Sequence, residues 1–136
     1  MTWMIAEDEA DIRNLLAMMC QVWGYNTVTF ENGQKVWDWL DGVERGEKDF
    51  SPELVLMDIR MPGKKGNELA QRMRTLPDFQ QTPIVLMTAF SLSDRERRDM
   101  MTSDGVDHIL NKPLPDFEQL RATLDGIAHQ KRNGQS

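Results

Sequence analysis

The chain has 136 residues, 28% of them charged and 40% hydrophobic, with a formal net charge of -6. That length supports one domain with a real core, while the acid excess argues against a nucleic-acid-binding surface, which needs a basic patch. Nothing approaches the roughly 18 unbroken apolar residues of a membrane span, and no basic n-region opens the chain as a signal peptide would.

Trp3-Met4-Ile5-Ala6 is a short apolar run that breaks into Glu7-Asp8-Glu9, which predicts a buried strand feeding an acidic loop. Ile12, Leu15, Leu16, Met19 and Trp23 then recur at helical spacing, and Gly24 stands where a C′ glycine ends a helix. The single cysteine, Cys20, lies in this helix with no partner for a bridge or a zinc site. It reads as a small apolar filler, in keeping with a reducing, cytoplasmic setting.

Residues 26–30 have the β-branched content of a second strand. Asn32 is placed to cap a helix that turns Val36, Trp37 and Leu40 inward. Asp41 to Pro52 is polar and reads as a long loop. Leu54-Val55-Leu56-Met57 is apolar throughout, as in a strand buried on both faces, and it stops at Asp58. Met61-Pro62-Gly63 leads to a helix carrying Leu69, Met73 and Leu76. Ile84-Val85-Leu86-Met87 follows and stops at Thr88. A charged helix spans about Asp94 to Met101, and a short strand at 108–110 ends near Lys112. Pro115 suits the first turn of a last helix that buries Phe117, Leu120, Leu124 and Ile127.

Five strands alternating with five helices predict a parallel α/β sheet covered on both faces. The domain is expected over residues 1–130, with a short polar tail at 131–136.

The polar residues that end these strands carry the chemistry. In an open parallel sheet all carboxyl ends point to one edge, where ligands bind. Glu7, Asp8, Asp58, Thr88 and Lys112 therefore converge, although each alone reads as a cap, a turn or a surface group. Three close carboxylates repel one another, so at least one pKa rises unless a cation relieves them, and an oxygen-rich set favours a hard one such as Mg²⁺. A carboxylate so placed is a nucleophile for an acyl-phosphate, and Lys112 and Thr88 supply a positive charge and a hydroxyl for phosphate oxygens.

In order, the Glu7-Asp8-Glu9 loop, the segment Leu56-Met57-Asp58-Ile59-Arg60-Met61-Pro62-Gly63, Met87-Thr88-Ala89 and Lys112-Pro113 resemble the receiver domains of two-component response regulators, over roughly residues 2–129. The resemblance implies the flavodoxin-like strand order 2-1-3-4-5. It implies Asp58 as phosphoacceptor, Thr88 as switch hydroxyl and Lys112 as phosphate-binding lysine. Asp8, Asp58 and the main-chain carbonyl of Arg60 become direct ligands of Mg²⁺ (or Mn²⁺), with Glu7 acting through water. It also implies a cis Lys112–Pro113 bond. The phosphoryl donor would be a phosphohistidine on a sensor histidine kinase or phosphotransfer protein. The signalling face would be the fourth helix, fifth strand and fifth helix, which is also a possible homodimer face. The chain would be a stand-alone receiver or one piece of a longer regulator, with no nucleic-acid contact of its own, and not an enzyme beyond its own phosphorylation and slow dephosphorylation.

Three positions depart from the family pattern. Glu7 stands where Asp is commoner. Ile109 occupies the place of the aromatic switch residue and reads as packing, with His108 on the opposite strand face. Phe90, two residues after Thr88, borders the site with Arg60, and the pair is expected to shape access of water. A haloacid-dehalogenase-type phosphatase would instead carry Asp-x-Asp after the first strand, and a dinucleotide fold would carry Gly-x-Gly-x-x-Gly there.

Overall fold

Five parallel strands form one sheet in the order β2-β1-β3-β4-β5 in the computed structural model, which describes residues 2–48 and 51–132. The elements are β1 (Thr2–Ala6), α1 (Ala10–Val22), β2 (Asn26–Phe30), α2 (Gly33–Glu44), β3 (Leu54–Asp58), α3 (Gly66–Met73), β4 (Ile84–Thr88), α4 (Asp94–Thr102), β5 (His108–Asn111) and α5 (Phe117–Arg132). This is the expected doubly wound architecture. No described helix is long and apolar enough to cross a membrane.

The sheet separates two apolar layers. On one side Met4, Val55, Met57 and Leu86 pack against Val36 and Leu40 of α2, Leu69 and Met73 of α3, and Met100 of α4. On the other, Trp3, Ile5, Leu56 and Val85 pack against Leu16 and Cys20 of α1 and Leu120, Leu124 and Ala128 of α5. Alternation along each strand sends successive side chains to opposite layers. That is why the central strands β3 and β4, covered on both faces, are apolar without interruption.

Helix ends follow local chemistry. Gly24, at φ 91°, takes the left-handed conformation that closes α1 after Trp23. Asn32 accepts a 2.8 Å bond from the Lys35 N–H at the start of α2.

Several expectations are corrected. The polar stretch from Asp41 is helical as far as Glu44, because Val43 continues the inward face of α2 and packs on the core. Leu15 is 53% exposed rather than inward, since Leu16, Cys20 and Trp23 define the buried stripe and Leu15 lies about 100° around the helix from it. The chain leaves α3 before Leu76 and makes a short 3₁₀ turn at Pro77–Phe79, although Leu76 stays buried. Pro115 precedes the last helix instead of opening it. Asp116 is the cap, its Oδ1 accepting from the Gln119 N–H at 2.9 Å. Finally, α5 runs through Arg132, so the first two residues of the expected tail are helical, and Lys131 reaches Asp107 at 2.9 Å. Residues 133–136 lie outside the described residues.

Candidate functional site

The carboxyl edge of the sheet gathers the side chains that end β1, β3, β4 and β5. Glu7 follows β1 and is fully buried, its N–H donating to the Phe30 carbonyl at 3.1 Å. Its own carbonyl accepts from the Arg13 guanidinium at 2.8 Å, and its Oε2 accepts from the Glu9 N–H at 3.2 Å. Asp8, next along, is exposed, and Asp58 closes β3 at 6% exposure. The Arg60 N–H donates to Asp58 Oδ1 at 3.3 Å, which orients the carboxylate.

Lys112 reaches in from the end of β5. Its Nζ donates to Glu7 Oε1 at 2.5 Å and to Asp58 Oδ2 at 2.8 Å, so one ammonium bridges two buried acids. The Lys112–Pro113 bond that follows is cis. The Lys112 N–H donates to the Thr88 carbonyl at 2.7 Å, tying β5 to β4 at the site.

Electrostatics reflect crowding. Burial pushes Glu7 up to about 7; the Lys112 bond opposes that, while Asp8 and Asp58 add to it. Burial acts to lower Lys112, but its bonds to Asp58 and Glu7 outweigh it and hold the ammonium above its usual value. Carboxylate oxygens of Glu7, Asp8 and Asp58 all lie within 4.8 Å of one another. Three acids against one lysine form an all-oxygen set with surplus negative charge, and these residues fit a hard divalent cation.

Thr88 is 1% exposed at the end of β4. Its hydroxyl is turned to its own loop, where Oγ1 accepts from the Phe90 N–H at 3.0 Å. The structure thus joins Glu7, Asp8, Asp58 and Lys112 directly, while Thr88 stands beside them with its hydroxyl engaged elsewhere. Ile109 is 5% exposed within the layer that contains Leu86 and Met100, as packing predicts.

Gly66, not among the residues expected at the site, also shapes it. A Cβ there would sit 2.4 Å from the Asp58 carbonyl oxygen, so only glycine lets α3 begin against the end of β3. Its place eight residues after Asp58 was the available signal. Also unforeseen is the stack of Arg60 on Phe90, with the guanidinium carbon 3.9 Å from the ring centroid.

A family model described as response regulator receiver domain matches residues 3–125. The chain belongs to this family, and it is a receiver of two-component signalling. It is 30% identical over 135 residues to the phosphate regulon transcriptional regulatory protein PhoB of Pseudomonas aeruginosa, covering 99% of this chain and 55% of that protein. It is 26% identical over 111 residues to the polar-differentiation response regulator DivK of Brucella anthropi, covering 82% of this chain and 83% of DivK. Among solved structures, the receiver domain of sensor histidine kinase PA1611 from Pseudomonas aeruginosa superposes with a TM-score of 0.74 at 21% identity, covering 94% of this chain and 97% of that one. The chain spans about half the length of PhoB.

Proposed function

We propose that Asp58 is the phosphoacceptor and that the chain works as a signalling phosphoprotein rather than as a turnover enzyme. The observation that carries this is the Lys112 bridge: Asp58 Oδ2 is held 2.8 Å from an ammonium inside a cluster of acid oxygens. In the transfer, an Asp58 carboxylate oxygen attacks phosphorus as the bond from phosphorus to the donor imidazole nitrogen breaks. Lys112 then offers its charge to a phosphoryl oxygen, and Thr88 offers its hydroxyl proton to another.

Glu7, Asp8, Asp58 and the Arg60 carbonyl would hold Mg²⁺ or Mn²⁺, with Glu7 acting through water. When bound, the cation neutralises charge on the transferring oxygens. The PA1611 receiver, whose structure carries magnesium in its active site cleft, supports this reading.

The donor is a phosphohistidine of a sensor kinase or phosphotransfer protein. A surface suited to it lies beside Lys112: an apolar groove of about 250 Å³ lined by Ile12, Leu15, Met19, Leu114 and Pro115. Leu15, Met18 and Val22 continue it along α1 as exposed apolar side chains, 53%, 61% and 69% accessible. The output face is α4, β5 and α5, through which a homodimer or a downstream protein is engaged, and the setting is cytoplasmic.

Mass spectrometry after incubation with acetyl phosphate and Mg²⁺ tests the assignment. Wild type should gain one phosphoryl group and Asp58→Asn none. An adduct on the variant would reassign the acceptor.

A further inference from the structure

Arg60 and Phe90 stand in different loops, yet each lies two residues beyond a site residue and is tied to it through its backbone. The Arg60 N–H donates to Asp58 Oδ1 at 3.3 Å, and the Phe90 N–H donates to Thr88 Oγ1 at 3.0 Å. Their side chains then meet, guanidinium carbon to ring centroid, at 3.9 Å. The four residues form a closed circuit: Asp58, Arg60, Phe90, Thr88. Phe90 is 51% exposed and Arg60 is exposed, so core packing does not demand this arrangement. The contact between guanidinium and ring holds the circuit shut.

The same corner has somewhere for the ring to go. A polar recess of about 360 Å³ opens beside Thr88, lined by Phe90, Ser91, Arg97, Asn111 and Lys112. Arg97 of α4 is half-buried and has no carboxylate within salt-bridge distance among the described residues, so it offers a second cationic face for an aromatic ring. β5 brings no ring to this corner, because Ile109 is committed to the core.

We propose that Phe90 is the aromatic switch residue of this receiver: when a phosphoryl group on Asp58 captures the Thr88 hydroxyl, Oγ1 withdraws from the Phe90 N–H and the ring leaves Arg60 for the recess beside Arg97. The inference rests on the phosphoacceptor reading of Asp58. Its physical basis is that the Thr88 hydroxyl faces Phe90. The hydroxyl's one proton is directed at the Phe90 carbonyl at 3.5 Å, so donating to a phosphoryl oxygen breaks that bond, and rotation of the side chain toward Asp58 carries Oγ1 off the Phe90 N–H as well. The loop so released runs directly into the start of α4, where Ser93 and Glu96 bond each other's backbone N–H groups at 3.0 Å. The displacement therefore reaches the output face without an aromatic residue on β5.

NMR of the full chain with Mg²⁺ and the phosphoryl mimic beryllofluoride tests this. The expected result is that the Phe90 amide, the Phe90 ring and the Arg60 Nε–H shift together with Asp58 in wild type. In Phe90→Leu, the shift changes over residues 93–97 should at least halve, and Phe90→Tyr should restore them. Acetyl phosphate should still label both variants. A response at Asp58 with Phe90 silent would overturn the switch and leave the phosphoacceptor reading standing, as would undiminished α4 changes in Phe90→Leu. Loss of labelling in Phe90→Leu would also overturn it, by placing the ring in the transfer step. No response at Asp58 itself would overturn the phosphoacceptor reading, and the switch with it.

Discussion

Lys112 Nζ lies 2.8 Å from Asp58 Oδ2, and the same ammonium also holds Glu7 at 2.5 Å. One ammonium thus keeps two buried acids together at the edge of the sheet. Removing it leaves both without a counter-charge. Lys112→Met is expected to destabilise the chain by about 3 kcal/mol in the absence of divalent cation, the usual scale for breaking a buried pair from one side. Urea denaturation measures the loss, and a change below the resolution of the method would mean that the acids are solvated.

A divalent cation that binds only the folded chain raises its stability by about 1.4 kcal/mol for each tenfold excess over its dissociation constant. Mg²⁺ should therefore raise the unfolding temperature of wild type progressively. Asp8 is exposed, so Asp8→Ala should fold normally and lose that response. A Mg²⁺ response that persists in the variant would remove Asp8 from the ligand set.

Arg74 ties the opposite edge of the sheet together. Its guanidinium donates to the carbonyls of Phe79, Thr82 and Gly105 at 2.6, 2.8 and 3.0 Å, and to Asp107 Oδ2 at 3.0 Å. Arg74→Met should cost about 3 kcal/mol by orphaning those acceptors. Acetyl phosphate labelling should remain, because the network lies away from Asp58. Labelling lost in a variant that is still folded would show coupling between the two edges.

His108 is held below its ordinary value of 6.5 by burial and, secondarily, by the Arg97 guanidinium. Between that lowered value and 6.5 the unfolded chain binds more protons than the folded one, so this residue's contribution falls as pH drops through the window. The urea midpoint of wild type should decline there, and His108→Gln should flatten the decline. An unchanged slope would assign it to another group.

Much of this was legible in the residues themselves. The uniform apolar blocks 54–57 and 84–87 announce strands buried on both faces, and the polar residues that end them announce one shared edge. Ile109 was readable as packing because an aliphatic side chain next to Leu110 in a short strand belongs to the class that fills cores. Helix limits were less legible. Asp41 to Glu44 looks like a loop until Val43 is seen on the core, and Pro115 gives way as a helix start to the better cap at Asp116.

The sequence by itself determined which chemical groups end the strands, and so the class of site, because strand burial and sheet parallelism follow from local apolar pattern. Only the tertiary structure decided how those groups are partnered. Lys112 bridges Glu7 and Asp58, the Thr88 hydroxyl turns to Phe90, and Arg60 stacks on that ring. These contacts join residues from separate loops, and no local pattern sets which side chains meet when several polar groups share one edge. Competition among donors and acceptors in the folded chain settles it.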